Sequence, residues 1–257
     1  MRWIYLSPHL DDAALSAGGW IYDQTRAGIP VEIWTIMCGV PKTKKLSPFA
    51  KYLHDQWGMK TARQVVGGRR IEDKHAAAIL GAKTRHFDFY DCIYRQDANG
   101  GWLYSTIFVD PLPGEADLPR RIADSIAARL KPDDELVCQL GIGKHVDHVI
   151  VRRAAELLGR PLYYAADIPY LFNQPEHLKP NTAGMKKKVE RVSKAGLSAW
   201  KEAVLAYESQ VGGLFKNPLA MRKAFNTYCL SMGGMAFWRK IRSYSIGILG
   251  LEAPLKS

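Results

Sequence analysis

An α/β fold with a mostly parallel sheet between two helical layers follows from three features of the chain. Short apolar, β-branched runs alternate with helical stretches over the first two-thirds of the sequence, the pattern of βαβ units. The runs at residues 3–6 and 31–38 are almost continuously apolar, as strands covered on both faces are. A chain of 257 residues that is 47% hydrophobic can bury one substantial core, so a single domain over residues 1–257 is expected. The expected architecture is a Rossmann-like three-layer α/β/α fold, with a core over about residues 1–170 and a helical part, 171–257, packed around it.

The elements follow in order. The first strand, 3–6, runs into Ser7-Pro8-His9-Leu10-Asp11-Asp12, after which the small residues Ala13-Ala14-Leu15-Ser16-Ala17-Gly18-Gly19 open a helix. The second strand, 31–38, ends at Gly39. Residues 40–58 hold two Pro and four Lys without a sustained period and read as a long loop over the carboxyl edge of the sheet. In it, His54 and Trp57 read as packing residues first, with ligand contact as their other use. Residues 61–80 have a helical period that stops at Gly81. There Arg69 and Glu72 share a face and can pair, Arg70 points elsewhere, and His75 is an exposed position.

Residues 85–91 alternate as a short strand whose end delivers Asp91, Tyr94 and Arg95 to the same rim, and Asn99-Gly100-Gly101 turns a hairpin within 96–104. An amphipathic helix over 118–130 stops at Lys131-Pro132 and leads into a strand at 135–140. A helix over 149–158 and a fifth strand at 161–166 follow, ending at Asp167-Ile168-Pro169-Tyr170. Asp167 and Tyr170 either line a pocket or make an Asx turn with a buried ring. Lys186-Lys187-Lys188, with Arg191 and Lys194, has the spacing of a solvated helix face, and residues 197–210 are helical. The tail with Trp238, Arg239 and Arg242 signals nothing beyond packing.

Two motifs carry chemistry. His9, Asp11 and Asp12 crowd the exit of the first strand, and Lys144-His145-Val146-Asp147-His148 crowds the exit of the strand at 135–140. In open α/β sheets ligands bind at the carboxyl ends of strands. His9 and Asp12 can converge on one divalent cation, and His145 or His148 can complete a His2Asp set that leaves a position for water, as catalytic zinc sites do.

These residues resemble the LmbE-like/PIG-L family of metal-dependent N-deacetylases, which act on N-acetylglucosamine-type sugars. Further matches are Arg69-Arg70-Ile71-Glu72-Asp73, Asp91-Cys92-Ile93-Tyr94-Arg95, Ala166-Asp167-Ile168-Pro169-Tyr170 and Tyr207-Glu208-Ser209-Gln210, so the resemblance spans roughly residues 1–210. It implies zinc, or another divalent metal such as Fe²⁺, on His9, Asp12 and His148. It also implies Asp11 as general base, His145 as electrostatic or acid partner, and Asp147 orienting His145. A protonated His145, with its pKa kept high by Asp147, is expected to face the oxyanion. Arg69, Asp91, Tyr94, Arg95, Asp167 and Tyr170 are the candidate contacts to a small-molecule or glycoconjugate substrate bearing an N-acetyl sugar. The family often has Ala-His-Pro-Asp-Asp-Glu where this chain has Pro8-His9-Leu10-Asp11-Asp12-Ala13, which bears on substrate choice rather than on the reaction.

Composition narrows the alternatives. The formal charge of +11 comes without a helix-turn-helix, RNP or zinc-finger pattern, so no nucleic-acid partner is expected, and attraction of an anionic substrate is the other use of the charge. Cys38, Cys92, Cys138 and Cys229 have no C-x-x-C spacing, which fits a reducing cytoplasm. No apolar run approaches the roughly 18–20 residues that span a bilayer, and a cleaved signal peptide would remove the first motif. The rival readings are a phosphoesterase-like metal hydrolase and an inactive sugar- or nucleotide-binding module. The absence of a Gly-rich phosphate loop weighs against a nucleotide cofactor. The oligomeric state is left open.

Overall fold

The computed structural model describes residues 1–241. Its elements are β1 (Arg2–Ser7), α1 (Asp12–Arg26), β2 (Val31–Thr35), α2 (Pro48–Gln56), α3 (Ala62–Leu80), β3 (Lys83–His86), α4 (Leu118–Ala127), β4 (Asp134–Gln139) and α5 (Val146–Leu157). After these come β5 (Leu162–Ala165), α6 (Tyr170–Asn173), α7 (Leu178–Asn181), β6 (Met185–Glu190), α8 (Lys194–Leu205), α9 (Glu208–Leu214), α10 (Pro218–Met232) and β7 (Met235–Lys240).

One seven-stranded sheet has the order β3-β2-β1-β4-β5-β7-β6. Its first five members pair in parallel, whereas β7 and β6 are antiparallel. The expected α/β class and mostly parallel sheet are thus observed. From β1 the chain winds outward to β2 and β3, then returns to place β4 on the other side of β1 and continues to β5. Right-handed crossovers in opposite directions put α1 and α3 on one face and α4 and α5 on the other. The core is Leu6, Ile33, Trp34, Leu136, Val137 and Tyr164 of the sheet with Leu15, Ile21, Ile122, Ile150 and Val151 of the helices.

The small residues at the start of α1 have a packing reason. A β-carbon on Gly18 would come within 2.5 Å of the Trp200 ring, whose Nε1 donates to Ala14 O at 2.7 Å. So α8 docks closely on α1, and together with α3 these helices form one layer.

Four local expectations are corrected. The loop expected over 40–58 contains α2, whose Ser47 side chain caps Ala50 N–H with Pro48 in the first turn, a start signal that the lysine-rich surroundings mask. The strand expected over 85–91 is β3 and stops at His86. The run Lys186-Lys187-Lys188 is not a helix face but the outer strand β6, where solvated lysines keep a sheet edge from pairing with other chains. The part after residue 170 is not purely helical, because β7, with Trp238 and Arg239, inserts between β5 and β6. Arg242 lies outside the described residues. No helix among the described residues is long and apolar enough to cross a membrane.

Candidate active site

Neighbouring strands β1 and β4 mark the point where the strand order reverses, the place where open α/β sheets open a crevice. Both motifs leave the sheet there. Ser7 Oγ donates to His9 O at 2.6 Å and accepts from Ala13 N, which folds the turn back into α1. His9 N–H donates to Asp12 Oδ2 at 2.8 Å. Asp11, between them, has φ 157° and ψ −32°, and although it precedes α1 its carboxylate caps nothing. Across the crevice His145 caps α5: its Nδ1 accepts from Asp147 N–H at 3.2 Å, which leaves the ring's proton on Nε2.

The imidazoles of His9 and His148 are arranged alike. His9 Nε2 pairs with Asp147 Oδ2 at 2.9 Å, and its Nδ1 stands 3.4 Å from Asp12 Oδ2. His148 Nδ1 pairs with Asp167 Oδ1 at 2.8 Å, and its Nε2 stands 3.3 Å from the same Asp12 oxygen. Each ring therefore has one nitrogen held by a buried carboxylate and the other turned toward Asp12, the arrangement that orients histidine ligands of metals. His148 Nε2 is buried without a hydrogen-bond partner. This donor set fits a divalent cation. His145 also brings a ring nitrogen within 4.8 Å of those of His9 and His148.

The electrostatics have the same origin. Burial opposes charge on His148, yet Asp12 and Asp167 raise its pKa to about 9. His9 is likewise raised against burial, by Asp91, Asp12 and Asp147. A cation entering here competes with those protons, so its binding weakens as pH falls. Burial, assisted by Asp12 and opposed by Arg69, pushes Asp11 up to about 7. His145 departs from expectation: burial and the neighbouring His9 and His148 depress its pKa well below the ordinary range, and Asp147 does not offset them. The imidazole is neutral near pH 7. The Asp147 carboxylate is bonded to His9 and Arg95 rather than to the His145 ring.

A cavity of about 890 Å³ opens over this cluster and is lined by His9, Asp11, Asp12 and His145. Of the candidate substrate contacts, Arg69, Asp91 and Tyr170 line it and Tyr94, Arg95 and Asp167 do not. Arg95 is a buried counter-ion, bonding Asp147 Oδ1 at 2.5 Å and pairing with Glu115 Oε1 at 2.5 Å. Tyr94 OH pairs with His54 Nε2 at 2.6 Å, and Asp167 is sealed behind His148. His54 is accordingly a packing residue, whereas Trp57 lines the cavity beneath the Arg69 guanidinium, 5.2 Å from its ring centre. The Arg69–Glu72 pair that the spacing allows does not form. Arg69 reaches Leu10 O at 3.2 Å and Asp11 Oδ2 at 3.4 Å, while Glu72 accepts from Ser209. Ile107, Phe108, Gly212, Gly213 and Leu214 also line the cavity with nothing in their local sequence to mark them, and Glu208, Ser209 and Gln210, from a stretch that carries the resemblance, line it beside them.

A Rossmann-like sheet with a buried His–Asp cluster at its switch point, under a cavity that also holds the Asp11 carboxylate with its raised pKa, points to an enzyme rather than a binding module. The chain belongs to the PIG-L family: the model described as GlcNAc-PI de-N-acetylase matches residues 4–158. It is a hydrolytic N-deacetylase. A 2'-N-acetylparomamine deacetylase from Niallia circulans is 24% identical over 229 residues, 82% of each chain. Among solved structures, the deacetylase–bog complex from teicoplanin biosynthesis superposes with a TM-score of 0.82 at 29% identity, covering 95% of this chain and 100% of that one. A zinc-inhibited form of teicoplanin deacetylase gives 0.81 at 27% identity, with the same coverage.

Proposed function

We propose that this deacetylase removes the acetyl group from an N-acetylglucosamine-type sugar, free or in a glycoconjugate, with a divalent cation, zinc first, held by His9, Asp12 and His148. The observation that carries this reading is the matched pair of imidazoles, each tied by one nitrogen to a buried carboxylate and each facing Asp12 with the other. Such a cation supplies polarisation of the acetamide carbonyl and lowers the pKa of water from about 15.7 toward about 7.

The chain's own groups supply the rest. Asp11 takes the proton of the attacking water and returns it to the departing amine. The neutral His145 ring directs Nε2–H at the oxyanion formed as water adds to the acetamide carbon. Arg69, Asp91 and Tyr170 are placed to hold the sugar. The phosphoesterase reading loses support from the lining charges: Asp11, Asp12, Asp91 and Glu208 stand against Arg69, which is itself paired with Asp11. The net charge of +11 is not gathered at this site.

Acetate release from a panel of N-acetylated sugars tests the reaction, and elemental analysis tests the site, with about one metal per chain expected. Two tightly held metals would favour a two-metal phosphoesterase instead. The role of Asp11 makes a pH prediction. It accepts a proton only when ionised, so kcat/KM falls as pH drops through its pKa. Arg69 holds that pKa down. Arg69→Met is therefore expected to move the acidic limb of the kcat/KM profile to higher pH. A limb that stays in place would mean that Arg69 does not act on the group that titrates there.

A further inference from the structure

Resting on the reading of His9 as a metal ligand, we propose that Glu115 is a positioning residue for the metal site, acting on His9 through Arg95 and Asp147. The two carboxylates that back the imidazoles are not equivalent. Asp167, behind His148, accepts from Ile142 N–H at 2.9 Å and pairs with no lysine or arginine among the described residues. Asp147, behind His9, has its other oxygen on the Arg95 guanidinium, which sets a buried positive charge one carboxylate away from a ligand of a dication. Left alone, that charge would draw Asp147 off His9 and oppose the metal, and in buried surroundings it is weakly screened. Glu115 offsets it: Arg95 Nε stands 2.5 Å from Oε1, and Nη2 donates to Oε2 at 3.2 Å.

Holding its own segment does not account for Glu115. It ends a short helical turn, Pro113–Glu115, and is only 6% exposed, a costly place for a carboxylate. The segment is fastened at other points: Leu103 N–H donates to Arg95 O at 3.1 Å, Val146 N–H to Ile107 O at 2.8 Å, and Leu112 N–H to Tyr104 OH at 3.1 Å. Tyr104 in turn donates to Glu115 Oε2 at 2.5 Å and lays its ring against Arg95, the ring centre 5.3 Å from the guanidinium carbon. The polar contacts of the Glu115 carboxylate are therefore with Arg95 and with the residue that packs on Arg95.

The test measures the zinc Kd of the full chain by competition with a chelator, beside Tm, for Glu115→Gln in the wild-type and Arg95→Met backgrounds. Glu115→Gln alone is expected to weaken zinc binding roughly tenfold, the lower end of what loss of an orienting partner costs. In the Arg95→Met background the same change should alter it less than about threefold, because a buried carboxyl with no guanidinium beside it takes up a proton and is already neutral. Tyr104→Phe, which removes a hydrogen bond and leaves every charge in place, should lower Tm while moving the zinc Kd less than about threefold. Arg95→Met by itself gives a reading that does not depend on Glu115→Gln folding: with the charge gone, Asp147 backs His9 as Asp167 backs His148, so zinc should bind within about threefold of wild type. The proposal is overturned by an equal loss in both backgrounds, by an unchanged Kd in Glu115→Gln, by a tenfold loss in Arg95→Met, or by a Tyr104→Phe variant as weak as Glu115→Gln, which would mean that fastening the segment is what matters. Zinc held as tightly by His9→Ala as by the wild type counts instead against the ligand set, and the inference falls with it.

Discussion

Asp11→Ala is expected to keep its metal and lose activity by about 10²–10⁴-fold, the usual worth of general acid–base catalysis, whereas Asp12→Ala loses both. The adjacent aspartates leave the backbone toward different partners. Asp12 Oδ2 stands within 3.4 and 3.3 Å of His9 and His148, and those imidazoles hold its carboxyl well below the usual range against the effect of burial. Asp11 approaches Arg69 and takes its raised pKa of about 7 chiefly from burial, so it is poised to trade a proton near neutrality. Metal content measured by elemental analysis beside acetate release separates the two roles. Equal metal loss in both variants would sink the division.

Asp147→Ala is expected to destabilise the fold by about 3–5 kcal/mol, because it strands a buried charge. Asp147 is fully buried and serves three donors: His9 Nε2 at 2.9 Å, Cys92 N–H at 3.0 Å and Arg95 Nη1 at 2.5 Å. Removing it leaves the Arg95 guanidinium with Glu115 as its one carboxylate, beside the Tyr90 carbonyl, and frees the His9 ring to rotate. Metal affinity should drop roughly 10–100-fold, as it does when the partner that orients a ligand is lost. Urea unfolding should show the loss partly recovered in Asp147→Ala/Arg95→Met, where no guanidinium remains to be left unpaired. A single variant within about 1 kcal/mol of wild type would show that Arg95 is balanced without Asp147.

Much of the fold was legible because its signals are local. The βα alternation, the helical period over 61–80 and the Gly81 stop all lie within a few residues of the elements they set. The paired motifs at the strand exits were legible for the same reason. What the chain hid is non-local. Arg95 looked like a substrate contact from its place near Asp91, but its partners are 52 and 20 residues away. Glu72 sits one turn from Arg69 and yet spans 137 residues to fasten α9. His145 looked cationic because Asp147 is two residues on, while three-dimensional packing turns that carboxylate to His9 and surrounds His145 with other imidazoles. The lysine-rich run became β6 because β7, itself an apolar run near the end of the described chain, pairs with it antiparallel.

The backbone of Asp11 has an evolutionary consequence. At φ 157° and ψ −32° this residue holds a conformation that glycine adopts freely and that other residues reach at about 1–3 kcal/mol. Its carboxylate is buried besides, in surroundings that disfavour its charge. Selection for folding alone would thus drive the position toward glycine, and a lineage released from the chemistry would be expected to drift there early, keeping the sheet and even the cation. On the role proposed for Asp11, an aspartate at residue 11 is the mark by which a working member would be told from a retired one.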